Sequence, residues 1–300
     1  MTKCMISAPQ PEAVEAGLEI FKAGGNVVDA AVAAAMVQTV VDPQMCGIAG
    51  FGAMQIMRPA NNVHHFIDFH GRAPLATTAE MWAHLIEREC DDGFGFVLKG
   101  RVNEFGYQSM TSPMTLCAFD FALSNYGTMS LSDVMAPAIK YCFEGFAVRP
   151  RVHAFWMQPA QCGRMERVAV VNKLPAARKI YLNADGNLLA VGDILKNPDM
   201  GRTYERIAAE GAGVFYHGSI ADEIEANMIA NGGLITKQDR HVSGHRGQVN
   251  YASAGRALNS CMHVCVCTYV CMHVCMCMYA RMYVCMYVCM YSKRARNKSR

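Results

Sequence analysis

The stretch "DAAVAAAMVQTVV", residues 29–41, constrains this chain more than any other. It carries one charge, at its first position, and is dominated by alanine, the residue that loses least on entering a helix. A helix apolar on every face has nothing to offer water and has to be enclosed. Its small side chains also let a neighbouring helix or sheet come close. The residues before it supply the punctuation. In "PEAVEAGLEIFKAGGN", Pro11 suits a first helical turn and Val14, Leu18 and Phe21 recur at helical spacing. Gly24-Gly25 closes that helix, Asn26 sits where an N-cap belongs, and Asp29 falls in the favourable first turn of the next.

Downstream the pattern alternates. "GIAGFGAMQIM" places Gly47, Gly50 and Gly52 ahead of an apolar run that reads as a buried strand, and "VHHFIDF" reads as its partner across "RPANN". Helices are expected over 115–125, 130–144, 198–210 and 219–231, with Ser130 or Ser132 capping the second and Gly145 ending it. "YLNADGNLLAVGDIL" reads as strand–turn–strand around Asp185-Gly186. Three hundred residues can bury a sizeable core, and no linker interrupts the alternation before residue 240. The organisation expected is a mixed α/β body over 1–240 and a separate tail over 241–300.

The tail is of another kind. "MYVCMYVCMY", residues 282–291, repeats Cys-Met-Tyr-Val. Those residues are encoded by TGT-ATG-TAT-GTA, the tetranucleotide TGTA repeated, and four bases read in threes must return every four residues. A DNA microsatellite therefore explains the period, and a change of TAT to CAT explains the histidines of "CMHVCMCMY". Of the 14 cysteines, eight fall between Cys261 and Cys289. The other six are scattered without metal-ligand spacing and read as small buried residues of a reduced protein. Residues 261–280 are uncharged and long enough to span a bilayer, with basic residues at 293–300 behind them. Thiols, His and Tyr in such number make a poor apolar span, so no membrane partner is expected. The net charge of +3 rests largely on Lys293, Arg294, Arg296, Lys298 and Arg300, which leaves no case for nucleic-acid binding. The N-terminus, "MTKCMISAPQPEAVEAG", has no apolar run of signal-peptide length, which gives a cytoplasmic expectation.

Among residues that could carry chemistry, His64-His65 is a poor ligand pair, because neighbours on a strand point to opposite faces. No metal or cofactor is expected. Asp68, Glu104, Asp120 and Glu144 have no pairing that spacing defends. Arg72, in "DFHGRAP", is the better candidate: an arginine held in a glycine-flanked turn after a strand can clamp a carboxylate with two parallel hydrogen bonds. The bland alternative is a structural salt bridge.

Three long blocks carry a resemblance. They are "EAGLEIFKAGGNVVDAAVAAAMVQTVVDPQMCGIAGFGAMQI", "YGTMSLSDVMAPAIKYCFEGFAV" and "VGDILKNPDMGRTYERIAAEGAGVFYHGSIADEIEANMIANGGLITKQD", in this order within about residues 5–239. The body resembles the heavy-chain portion of the γ-glutamyltransferase (γ-glutamyltranspeptidase) family of N-terminal-nucleophile hydrolases. The resemblance implies an α/β (α+β) fold, an incomplete αββα sandwich holding only the large-subunit part, with an irregular C-terminal tail. It also implies a self-cleaving precursor whose freed threonine attacks a γ-glutamyl or related amide, its own amine acting as base, and passes the acyl group to water or an amine. The partners implied are a small-molecule amide or γ-glutamyl substrate and the small subunit of the same precursor.

Two departures accompany it. The family's carboxylate-binding arginine stands four residues before the proline of its RExAP motif; here that place is His70, and Arg72 stands two residues before Pro74. Two residues of extended chain are on the order of 6–7 Å. "GRAP" is more like the amidohydrolase and acylase branches, so the resemblance implies the acyl-transfer chemistry and leaves the substrate open. The second departure is the nucleophile. The likeness stops near Asp239, Thr77-Thr78 lie inside the arginine loop, and Thr236 matches a position without a catalytic role in the family. No threonine is assigned as nucleophile, so the expectation is a truncated family member without activity of its own. The alternatives are a non-catalytic protein keeping the fold to bind a ligand or partner, and a tail that is functional as a membrane anchor or thiol-rich metal binder.

Overall fold

The computed structural model describes residues 3–58, 63–240, 261–269 and 285–291, the last two stretches by their backbone. Strand β1 (Lys3–Ser7) leads into helices α1 (Pro11–Lys22) and α2 (Val27–Val41). Strands β2 (Phe51–Arg58) and β3 (Val63–Phe69) follow, then the short pair β4 (Ile86–Glu89) and β5 (Phe96–Leu98). Next come α3 (Thr115–Tyr126), α4 (Leu131–Glu144), β6 (Phe146–Ala147) and helices α5 (Pro150–Trp156), α6 (Arg167–Lys173) and α7 (Pro175–Tyr181). Strand β7 (Ile194–Leu195), helices α8 (Pro198–Glu210), α9 (Gly213–Tyr216), α10 (Ser219–Ala230) and α11 (Lys237–Arg240), and strands β8 (Cys261–Tyr269) and β9 (Cys285–Tyr291) complete the order.

Helix α2 is the centre of the core, and all 15 of its residues are buried. α1, α3 and α4 pack around it, α8 packs beyond α4, and the sheet lies against its remaining side. Burial of a side chain such as Met36 or Val37, both fully enclosed, contributes roughly 1.5–3 kcal/mol. The junction before α2 is built as its sequence implies. Gly24 adopts φ +92°, a conformation that suits glycine. Asn26 Oδ1 accepts from the Val28 and Asp29 amides at 2.7 and 3.2 Å, and Asp29 Oδ2 accepts from the Asn26 amide at 2.7 Å, which closes a capping box. The other bonds of Asp29 reach far along the chain. Its carboxylate accepts from the Thr128 amide (2.9 Å), the Thr128 hydroxyl (2.6 Å) and the Met129 amide (3.2 Å), so one fully buried side chain ties α2 to the loop between α3 and α4.

The main sheet has the order β1-β9-β8-β2-β3, with each neighbouring pair antiparallel. Met54 pairs with Ile67 and Gly52 with Phe69, which sets Met54, Ile56, Ile67 and Phe69 on the buried face and Gln55 and Asp68 on the other. His65 lies in register with Ile56 on the inner face and is hydrogen-bonded through Nδ1 to the Tyr126 hydroxyl; His64 falls on the opposite face.

In three places the structure departs from expectation. The tail is not wholly irregular, since 261–269 and 285–291 are strands that fill the sheet between β1 and β2. Their Val, Tyr and Thr favour extended backbone and neither run contains glycine or proline, and each adjoining strand has a row of peptide groups that needs a partner. The segment around Asp185-Gly186 forms a turn closed by one bridge, Leu182 to Leu188, and the strand after it, β7, pairs with β6 instead. α5, α6 and α7, seven residues each, are too short to show helical periodicity. The turn expected at 59–62, the repeat residues 270–284 and the basic segment 293–300 lie outside the described residues.

A charged network fastens 161–165 to the β4–β5 hairpin. Arg164, 9% exposed, donates to both oxygens of Asp92 at 2.7 and 3.3 Å and to the Phe94 carbonyl at 2.8 Å. These bonds from Arg164, followed by the Phe94 amide, hold the Asp92 carboxyl below the usual aspartate range. The folded chain keeps Asp92 ionised to lower pH than the unfolded chain does. Its contribution is therefore complete above the ordinary pKa of about 3.9 and fades as pH falls below it. Urea unfolding at pH 3 and pH 6 is expected to give a smaller difference for Asp92→Asn than for the wild type; an unchanged difference would remove the pair from the acid response.

Candidate functional site

Strand β3 ends at Phe69 and delivers "HGRAP" to the rim of the sheet. His70 is exposed and turned back along the strand. Its amide donates to Asp68 Oδ1 at 3.0 Å, its Nδ1 lies 3.3 Å from the same oxygen, and its ring sits 5.5 Å from that of Phe51. Arg72 is half-buried and meets Ser112 across a backbone bridge, the Ser112 amide donating to the Arg72 carbonyl at 2.9 Å. Among the described residues no carboxylate pairs with the Arg72 guanidinium. The structural salt bridge left open by the sequence is not formed there.

The loop is shaped by the segment before α3. A Cβ on Gly71 would come within 2.4 Å of Thr111 Oγ1 and 2.9 Å of Thr111 Cβ, so the backbone approaches at a distance that glycine alone permits. The same segment holds the glycine turn ahead of β2. The Met114 and Thr115 amides donate to the Gly50 carbonyl at 3.0 and 3.1 Å, and the Leu116 amide to the Ile48 carbonyl at 3.2 Å. Residues 111–116 thus stand as a pillar between the two glycine-bearing turns and fix one relative to the other.

A further brace comes from the other end of the body. Asp239, 3% exposed, accepts the Thr236 amide (2.7 Å) and hydroxyl (2.8 Å) on Oδ2, and its Oδ1 accepts the Leu75 amide, three residues after Arg72. The signal for half of this is in the sequence: T-x-x-D at 236–239 is a helix-start pattern. The reach to Leu75 across 164 positions has no local signal.

Thr77 and Thr78 are exposed, and the Thr236 hydroxyl is engaged by Asp239. Among the described residues no group of three or more His, Cys, Asp or Glu could hold a metal ion, and no helix is long and apolar enough to cross a membrane.

The sequence profile of the family described as Gamma-glutamyltranspeptidase matches residues 13–251, so the likeness runs past Asp239, where the sequence blocks placed its end. This chain belongs to that family. A glutathione hydrolase proenzyme of Pseudomonas sp. (strain A14) is 33% identical over 236 residues, covering 78% of this chain and 38% of that protein. The Acylase ACY 1 proenzyme of Pseudomonas sp. (strain SE83) is 33% identical over 235 residues, covering 78% of this chain and 40% of its own length. Among solved structures, a cephalosporin acylase from Bacillus halodurans superposes with a TM-score of 0.70 at 26% identity, over 88% of this chain and 46% of that one. The chain thus spans about two fifths of the curated relatives it matches. As a γ-glutamyltranspeptidase-family chain it has the mixed helix and sheet architecture of the large-subunit part.

Proposed function

We propose that this chain carries the substrate-carboxylate half of an amide-hydrolysing or acyl-transferring site of the γ-glutamyltranspeptidase type, with Arg72 as the clamp. His70 holds the place of the usual family arginine without its function. The observation that carries this reading is the Arg72 loop itself: a half-buried guanidinium that no carboxylate among the described residues pairs with, on a loop braced by Thr111, Ser112 and Asp239. A planar guanidinium held in one place binds a carboxylate by two parallel charge-assisted bonds. The similarity to both a glutathione hydrolase and an acylase supports a γ-glutamyl or related amide as the substrate class.

The reaction needs a nucleophile that these 300 residues do not supply. In the proposed scheme a threonine at the head of a small subunit attacks the amide carbonyl, donors on that subunit take up the negative charge, and the acyl-enzyme passes to water or an amine. Arg72 sets the distance from the substrate carboxylate to that carbonyl. On its own, the chain binds and does not turn over.

Binding tests the clamp. Titration with glutarate, a five-carbon dicarboxylate, followed by NMR is expected to show saturable shifts in the wild type. Arg72→Ala is expected to weaken binding on the order of tenfold or more, with the unfolding midpoint kept. Equal affinity in the two proteins would remove Arg72 from the site.

A further inference from the structure

We infer that Asp239 is a positioning residue for the Arg72 loop, one that makes carboxylate binding depend on the docking of residues 236–239. The inference rests on the Arg72 reading above. From β3 to Pro74 the loop is held on one side by the Thr111–Ser112 pillar. On the side towards Leu75, the hydrogen bond described from another element is that from the Leu75 amide to Asp239 Oδ1. Pro74 immediately precedes this amide and has no N–H of its own to bind with. The Leu75 side chain is 67% exposed, so side-chain packing does little to fix the residue.

Asp239 is itself over-determined. It is 3% exposed, and its second oxygen accepts both the amide and the hydroxyl of Thr236 at 2.7 and 2.8 Å. The turn that presents it is tied down too: the Lys237 amide donates to Glu225 Oε1 at 2.7 Å, and Gln108 Nε2 donates to the Gly232 carbonyl at 3.2 Å. A rigid carboxylate with one oxygen for its own turn and one for the loop transmits the position of 236–239 to Arg72. An asparagine has a single acceptor for these three donors. With that oxygen kept by the amide and hydroxyl of Thr236, Asp239→Asn preserves the shape, turns an N–H group towards the Leu75 amide and releases the loop side of the link.

The test uses the full chain, glutarate as probe, and hydrogen exchange at single amides. In the wild type the Leu75 amide is expected to exchange more slowly than the adjacent Ala76 amide. Asp239→Asn is expected to abolish that protection and to weaken glutarate binding about tenfold, while the amides of α1 and α2 keep their protection. Glutarate bound as in the wild type by Asp239→Asn, but not by Arg72→Ala, would overturn this inference and leave the clamp standing. Glutarate bound equally by Arg72→Ala would overturn both. If Asp239→Asn does not fold, the wild-type measurement decides: a Leu75 amide exchanging as fast as that of Ala76 contradicts the link.

Discussion

Asp29→Ala is expected to destabilise the chain by about 3–5 kcal/mol, read by urea denaturation. The carboxylate is fully buried and accepts from the Asn26 amide, the Thr128 amide and hydroxyl, and the Met129 amide. Alanine leaves those donors facing one another in an enclosed space that water enters poorly, and an unpaired buried donor costs roughly 1–3 kcal/mol. The same substitution removes half of the capping box of α2 and frees the loop between α3 and α4. Asp29→Asn is expected to fall between the two, because one of its side-chain atoms is a donor turned towards donors. A loss below about 1 kcal/mol for Asp29→Ala would show that the loop and the cap are held by something else.

The second large effect concerns the strands at 261–269 and 285–291. A fragment ending at residue 240 is expected to associate during gel filtration and to melt without cooperativity. β8 and β9 stand between β1 and β2 and lie against α2. Without them, β1 and β2 each present an unpaired row of peptide groups, and one side of the apolar helix α2 opens to solvent. A monodisperse, cooperatively melting 1–240 fragment would contradict the placement of the two strands in the sheet.

Much of this architecture was legible in the residues, for reasons that stop at short range. Gly24-Gly25, Asn26 and Asp29 mark the break between α1 and α2, because turn and cap geometry are decided within a few positions. The bonds from Asp29 to residues 128 and 129 were not legible, since periodicity reports which face is buried and not what it meets. The same holds for the site. Arg72 is recognisable as an arginine on a glycine-flanked turn, but the brace from Asp239, and the lack of a carboxylate partner among the described residues, exist only once distant segments are folded together. α5 and α7 are too short for a helical period to show, and their one sequence signal is the proline at the first position of each, Pro150 and Pro175. The tail shows a different limit. The four-residue repeat matches neither the helical nor the strand period, yet its Val and Tyr favour extended backbone, and two runs of the tail become strands.

The chain is proposed to hold the carboxylate-binding half of a γ-glutamyltranspeptidase-type site and to need a nucleophile supplied by a small subunit. Incubation of the purified 300-residue chain with a chromogenic γ-glutamyl anilide, with intact-mass analysis of the protein before and after, tests it most directly. Release of the anilide at the uncatalysed rate and one uncut chain are expected. Catalysed release accompanied by cleavage of the chain into two pieces would contradict it.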